Sequence, residues 1–184
     1  MKNILRLTIV FLSTLTCVFG QTKRINPKDT NEITFYCNPK VSQPAFKSSL
    51  IVNLKQGDTL ALFAEFADCG EWGGHRENII IVKKDNDLLA TYYKDTVDCD
   101  SLPINSLNLK RKNVVEKSKL LTSTDRNRII KYIDNLKIAC KKKESPQSNS
   151  ANSFRLYSKG VLMWYTNWQK DWKEFTKLKV KIFG

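Results

Sequence analysis

Five cysteines stand at positions 17, 37, 69, 99 and 140, and whether the first belongs to the folded chain decides what the other four can do. Met1–Arg6 is a short basic start, and the run from Leu5 to Phe19 is apolar apart from Arg6, Ser, Thr and Cys17. Val18-Phe19-Gly20 then puts compact residues at the −3 and −1 positions ahead of Gln21. A charged start, a short apolar stretch and a small-residue exit make a cleaved secretory signal over residues 1–20, too short for a membrane span. No later stretch is continuously apolar over the roughly 20 residues a span needs, so the chain is expected not to cross a membrane. A lipid anchor at Cys17 is the weaker reading, because Thr16 is bulkier than the small residue such a site presents. Localisation is therefore expected to be secreted or periplasmic.

Four cysteines remain after cleavage, 32, 30 and 41 residues apart with no Cys-x-x-Cys pair. An even count in an exported chain favours disulfides, and the missing close pairs disfavour structural zinc. With a single histidine in 184 residues, no metal, cofactor or catalytic assembly is assigned. Four cysteines allow three pairings. If Thr59–Phe66, Glu77–Lys83 and Leu88–Tyr93 form a three-strand meander, Cys69 and Cys99 follow its first and third strands and emerge on the same side. That geometry suggests Cys69–Cys99, leaving Cys37–Cys140 to close a loop of about a hundred residues, worth on the order of 4 kcal/mol in the chain-entropy model. A buried free thiol at Cys140 is the alternative.

The patterning predicts an α+β fold in a single disulfide-stabilised domain over residues 21–184: an antiparallel β-meander sheet, one main amphipathic helix and a C-terminal hairpin with an aromatic segment. In TLALFAEF, Leu60, Leu62, Ala64 and Phe66 share one parity, as on a half-buried strand. ENIIIVK is a β-branched run fit for a more buried one. Ser49–Leu54 and Ile33–Cys37 also read as strands, whereas the basic stretch Ser106–Lys119 is ambiguous. Thr122, with Asp125 three positions on, approximates a capping box. Ile129, Ile133, Leu136 and Cys140 follow on one helical stripe. Glu144–Ser153 has loop composition, and Phe154–Tyr157 with Val161–Tyr165 flank a hairpin turn. Trp168–Gly184 fits helix or strand equally: Trp168, Trp172 and Phe175 have helical spacing, while Leu178, Val180 and Ile182 alternate with lysines.

Charge is segregated along the chain. Residues 21–104 carry 10 basic and 12 acidic side chains, residues 105–144 carry 12 and 4, and residues 145–184 carry 7 and 2. Such a field favours polyanionic partners without specifying the fold. In an exported protein those partners are an anionic surface polymer or an envelope protein rather than intracellular nucleic acid. A solvated basic surface explains the same lysines equally well.

The stretch from Glu65 to Glu77 holds three of the seven glycines, the only histidine and four acidic residues. It lies between two strands, where loops on a rigid scaffold commonly bind. Glu71, Trp72, His75, Arg76 and Glu77 are the candidate binding residues. A catalytic reading makes His75 a general base oriented by Glu71 or Glu77, and a hydrolytic one pairs Glu71 with Glu77 across a glycan stacked on Trp72. The structural alternative gives Gly70, Gly73 and Gly74 to positive-φ turns, pairs Arg76 with Glu77, and has Trp72 cap the sheet. Trp164, Tyr165, Trp168 and Trp172 are expected mainly to cover the sheet. The functional expectation is a non-catalytic binding protein for an envelope protein or acidic glycan, the alternative a small secreted hydrolase using His75 and its neighbouring carboxylates.

Overall fold

The computed structural model describes residues 34–35, 50–100, 111–142, 145–146, 149–158 and 161–184. Residues 1–20, where a signal is expected, and with them Cys17, lie outside that set, as does Cys37. The elements are β1 (Thr34–Phe35), β2 (Thr59–Glu65), β3 (Arg76–Lys84), β4 (Asp87–Val97), β5 (Arg111–Leu120), α1 (Ser123–Lys141), β6 (Asn152–Ser158), β7 (Val161–Asn167) and α2 (Glu174–Phe183). They form one sheet in the order β1-β7-β6-β2-β3-β4-β5 with two helices. Every pairing is antiparallel except the short β1–β7 contact. The α+β class and the meander are as the patterning predicts, but the meander has four strands and shares its sheet with the C-terminal hairpin.

Alternation decides which face is covered. Leu60, Leu62 and Ala64 of β2 stand opposite Ile81, Ile79 and Glu77 of β3, and Leu62 and Ala64 opposite Leu156 and Phe154 of β6. These side chains are buried, with Ala90, Tyr92, Met163 and Tyr165 on the same face. Ile129, Ile133 and Leu136 of α1 and Phe175, Leu178 and Ile182 of α2 complete the core. Both helices therefore cover one side of the sheet, and no described element covers the other.

Thr122 caps α1 as its sequence suggests. Its hydroxyl accepts from Asp125 N–H, and Asp125 Oδ2 accepts from Thr122 N–H. Burial opposes ionisation of Asp125, yet hydrogen bonds from Lys119 and Thr122 outweigh it and hold the carboxyl below its ordinary range.

Within the undecided segment Trp168–Gly184, Glu174–Phe183 is helix α2, while residues 168–173 are turn and irregular chain. Phe175, Leu178 and Ile182 are buried while Val180 is exposed, so the i, i+3, i+7 spacing prevails over the lysine alternation. Its last carbonyls are met by cations: Arg128 Nη1 donates to Lys181 O at 2.7 Å, Lys119 Nζ to Ile182 O at 3.2 Å and Lys117 Nζ to Phe183 O at 3.4 Å. Positive charge at the negative end of a helix is favourable, and these contacts dock α2 onto the edge formed by β5 and α1. α1 is the expected main helix, and α2 is the helical one of the two readings that the C-terminal segment allows.

Two strand expectations change. Within Ser49–Leu54, residues 51–53 form a turn. Ile51 and Leu54 are buried while Val52 is exposed, the spacing of a tight turn rather than of a strand. The ambiguous basic stretch supplies β5, whose Lys117 and Lys119 lie on the helix-covered face and reach α2. Ile33–Cys37 is represented by the two residues of β1.

Candidate functional site

Cys69 and Cys99 are disulfide-bonded with Cα atoms 5.3 Å apart, tying the loop after β2 to the chain beyond β4 as the meander argument anticipates. Cys140 is also disulfide-bonded rather than a free thiol. The expected partner, Cys37, lies outside the described residues.

The loop folds back on itself between β2 and β3. Phe66 N–H donates to His75 O at 3.0 Å and Cys69 N–H to Gly73 O at 2.8 Å, while Ala67 N–H donates to Asn152 Oδ1 on β6. Gly70 and Gly73 have positive φ, as a wide turn requires. Gly74 is glycine for a different reason: a Cβ there would lie 2.0 Å from Phe66 O and 2.5 Å from Asp68 N.

That closure brings His75 between two carboxylates. Asp68 Oδ2 accepts hydrogen bonds from both the backbone N–H and Nδ1 of His75. Nε2 faces Glu77 Oε1 at 3.3 Å, and the ring stacks on Phe66 with centroids 4.4 Å apart. Only the imidazolium donates from both nitrogens. The hydrogen bond to Glu77 raises the His75 pKa, burial works against it, and Asp68 adds to the rise.

Glu77 is 1% exposed, on the helix-covered face of β3. Its carboxylate oxygens both lie 2.9 Å from Lys179 Nζ of α2, and Lys94 Nζ of β4 is 3.8 Å away. Desolvation pushes the Glu77 pKa up, but hydrogen bonds from His75, Lys179 and Tyr92 prevail and bring it down to about 2. Burial and the same carboxylate push the Tyr92 hydroxyl well above its usual range. A loop histidine, two strands and a helix thus meet at one buried carboxylate.

Arg76 alternates to the other face, so the expected Arg76–Glu77 pair does not form. Its Nε and Nη2 bind Glu65 Oε1 at 3.1 and 3.0 Å, and Arg155 Nη2 of β6 binds Glu65 Oε2 at 3.0 Å. The Arg155 guanidinium lies 5.2 Å from the centroid of the Trp164 ring, within cation–π range. Phe63, Asn78, Tyr157 and Leu162 join these three charged residues around a concavity of about 440 Å³. Glu71 and Trp72 sit on the 3₁₀ turn Gly70–Trp72, both exposed, Trp72 at 58% rather than capping the sheet.

The five candidate residues are therefore divided among three environments: a buried ion cluster (His75, Glu77), the open sheet face (Arg76) and the loop tip (Glu71, Trp72). The aromatic segment is divided too. Tyr165 and Trp172 pack on Phe154 in the core, whereas Trp164 is 51% exposed. Sequence reasoning missed Lys94, Tyr92 and Lys179 around Glu77, and Glu65, Arg155 and Trp164 opposite. Strand parity held part of the signal, since Glu77 shares it with Ile79 and Ile81, as Arg155 does with Tyr157.

Among the described residues no group of three or more His, Cys, Asp or Glu side chains is placed to hold a metal ion, and no helix is long and apolar enough to cross a membrane. No family model, curated protein or solved structure matches this chain.

Proposed function

We propose that the chain is an exported, non-catalytic binding protein that holds a protein partner on the open face of its sheet. The observation that carries this reading is the concavity opposite the helices, where Arg76 and Arg155 converge on Glu65 beside Tyr157 and the exposed Trp164. Tyr, Trp and Arg are the side chains that dominate binding energy at protein interfaces. Here the strands set their positions, so little ordering is needed on association. The disulfides fit an oxidising compartment.

The hydrolase alternative asks His75 for a free ring nitrogen. Both are taken by carboxylates that favour the charged ring, which leaves no lone pair to accept a proton. The cluster is better suited to hold the loop, β3 and α2 together than to turn over a substrate.

The test is capture from an envelope extract on the immobilised oxidised protein, washed at about 1 M salt, where surface charge is screened within about 3 Å. One protein retained by the wild type and by His75→Ala, but lost with Arg155→Ala/Trp164→Ala, is the expected result. Retention unaffected by the Arg155/Trp164 variant, or hydrolysis that vanishes with His75→Ala, overturns the reading.

A further inference from the structure

Strand β3 is apolar in both parities. Ile79 and Ile81 are buried under the helices, while Ile80 and Val82 lie on the open face, half-buried. A strand covered on one side only alternates apolar with polar residues, and a continuous apolar run belongs to a strand covered on both. The neighbouring strands extend the same surface. Register places Ile80 in one row with Ala61, Tyr157 and Leu162, and Val82 in the next row with Leu89 and Leu120. Tyr157 and Leu120 are exposed. An apolar band therefore runs across the open face from β7 to β5, and no described element covers it. Bands of this kind are association surfaces.

Charge decides where two such chains can meet. The formal charge of the chain is +13, and the helix side carries much of it. Helix α1 has five basic and two acidic residues, and α2 has three and one. Copies approaching through their helices repel each other. The open face is different. Over the regular register of the sheet, Glu65, Asp87 and Glu116 balance Arg76, Lys84 and Arg155 there. Arg76 and Arg155 bring their own counter-charge in Glu65, so covering them buries no unpaired ion. A two-fold contact presents one patch to an identical patch. A neutral, apolar face bearing both signs at its margins meets its own copy without net repulsion, which no other described side of this basic molecule offers.

We propose that the partner held on the open face is a second copy of this chain, packed sheet on sheet about a two-fold axis, which rests on reading that face as the binding surface. The two sheets stack about 10 Å apart, as in a β-sandwich. The basic helices then form the two outer layers, as far from each other as the assembly allows. Ile80 and Val82 gain the second cover that the composition of their strand calls for. Side chains of the facing sheet enter the concavity of about 440 Å³ beside Arg155 and Tyr157.

The test is sedimentation equilibrium of the oxidised protein from about 1 to about 100 μM, at about 0.15 M and about 1 M salt. A dimer is expected, at least as tight at the higher salt, where residual repulsion is screened. Tyr157→Lys/Leu120→Lys sets like charges on the apolar band and weakens dimerisation by at least about a hundredfold. Both side chains are exposed, so the circular dichroism of the variant stays that of the wild type, and Trp164→Lys provides the same readout should that pair fail to fold. Ile138→Lys/Val180→Lys, at exposed apolar positions on α1 and α2, leaves the dimer unchanged. A monomer over the whole range overturns the proposal, as does a dimer that dissolves at about 1 M salt, tolerates the open-face substitutions or is lost with the helix-side ones. A monomer that still retains a different protein from the envelope extract, and loses it with Arg155→Ala/Trp164→Ala, removes the second copy and leaves the open face as the binding surface. A monomer that retains nothing overturns both.

Discussion

Glu65 and Glu77 stand at the same end of the sheet, on neighbouring strands, with Glu65 paired to Arg76 and Glu77 paired to Ala64. Parity sends them to opposite faces, and everything else about them follows. Glu77 is enclosed under α2, meets Lys179, Lys94, Tyr92 and His75, and titrates at about 2. Glu65 stays half-buried on the open face and orients two arginines. The first carboxylate is committed to holding elements together, because it is the common acceptor of the half-buried His75, Lys94 and Lys179. The second holds its partners where a ligand can reach them. A one-residue change in strand position thus separates a structural carboxylate from one available for recognition.

The sharpest way to break that contrast is Glu77→Gln. It keeps the shape but leaves Lys179 and the His75 imidazolium facing a neutral amide. Breaking one side of a buried ion pair costs about 3–5 kcal/mol, so the urea midpoint is expected to fall substantially with the slope unchanged. A loss under about 1 kcal/mol would mean that the cluster is solvated and that the two carboxylates do not differ in kind.

The staple beside the cluster comes next. Cys69 and Cys99 are 30 residues apart, and closing a loop of that size stabilises by about 3.5 kcal/mol in the chain-entropy model. Cys69→Ala/Cys99→Ala is expected to cost about that much, and also to loosen the loop that carries His75. Amide exchange should then speed up in residues 66–76 more than in β6 and β7. Uniform acceleration across the sheet would show that the bond acts only on the unfolded chain.

How much of this was legible beforehand depends on the range of each contact. The α1 cap was readable because Thr122 and Asp125 are three residues apart and one turn of backbone brings them together. The Cys69–Cys99 pair was readable because a meander returns the chain to the same side after two reversals. Lys179 on Glu77 was not, since the two are 102 residues apart and only the packing of α2 on the sheet joins them. Helix α2 was itself obscured by its lysines. They alternate with Leu178, Val180 and Ile182 as on a strand, and the burial of Phe175, Leu178 and Ile182 against one exposed Val180 settles the period only once the sheet is there to pack on. The open face was missed because Glu65, Arg76, Arg155 and Trp164 lie on four strands that the chain visits in two separate passes.

The two sides of the cluster also respond to opposite ends of the pH range. Glu77 has a lowered pKa in the fold, so its contribution is fully present above about 4.5 and is lost as pH falls towards about 2. His75 has a raised one, so its contribution is fully present below about 6.5 and is lost as pH rises through the higher folded value. The unfolding temperature of the wild type should therefore be greatest between about 4.5 and 6.5, falling on both sides. His75→Gln should flatten the alkaline limb and leave the acid limb in place. An unchanged alkaline limb in that variant would assign the loss to another group.

Glu65→Gln is expected to have the smallest effect on stability, under about 1 kcal/mol, because its guanidinium partners are accessible and water replaces what the carboxylate provided. Its effect on binding should be larger. Arg76 and Arg155 would lose the common anchor that holds them beside Trp164, and capture of the partner should weaken while the unfolding midpoint hardly moves. That separation is the counterpart of Glu77→Gln, which unfolds the protein before it changes recognition. If Glu65→Gln lowered the midpoint as far as Glu77→Gln, the arginine pair would belong to the framework, and the open face would lose its claim to be the surface that meets a partner.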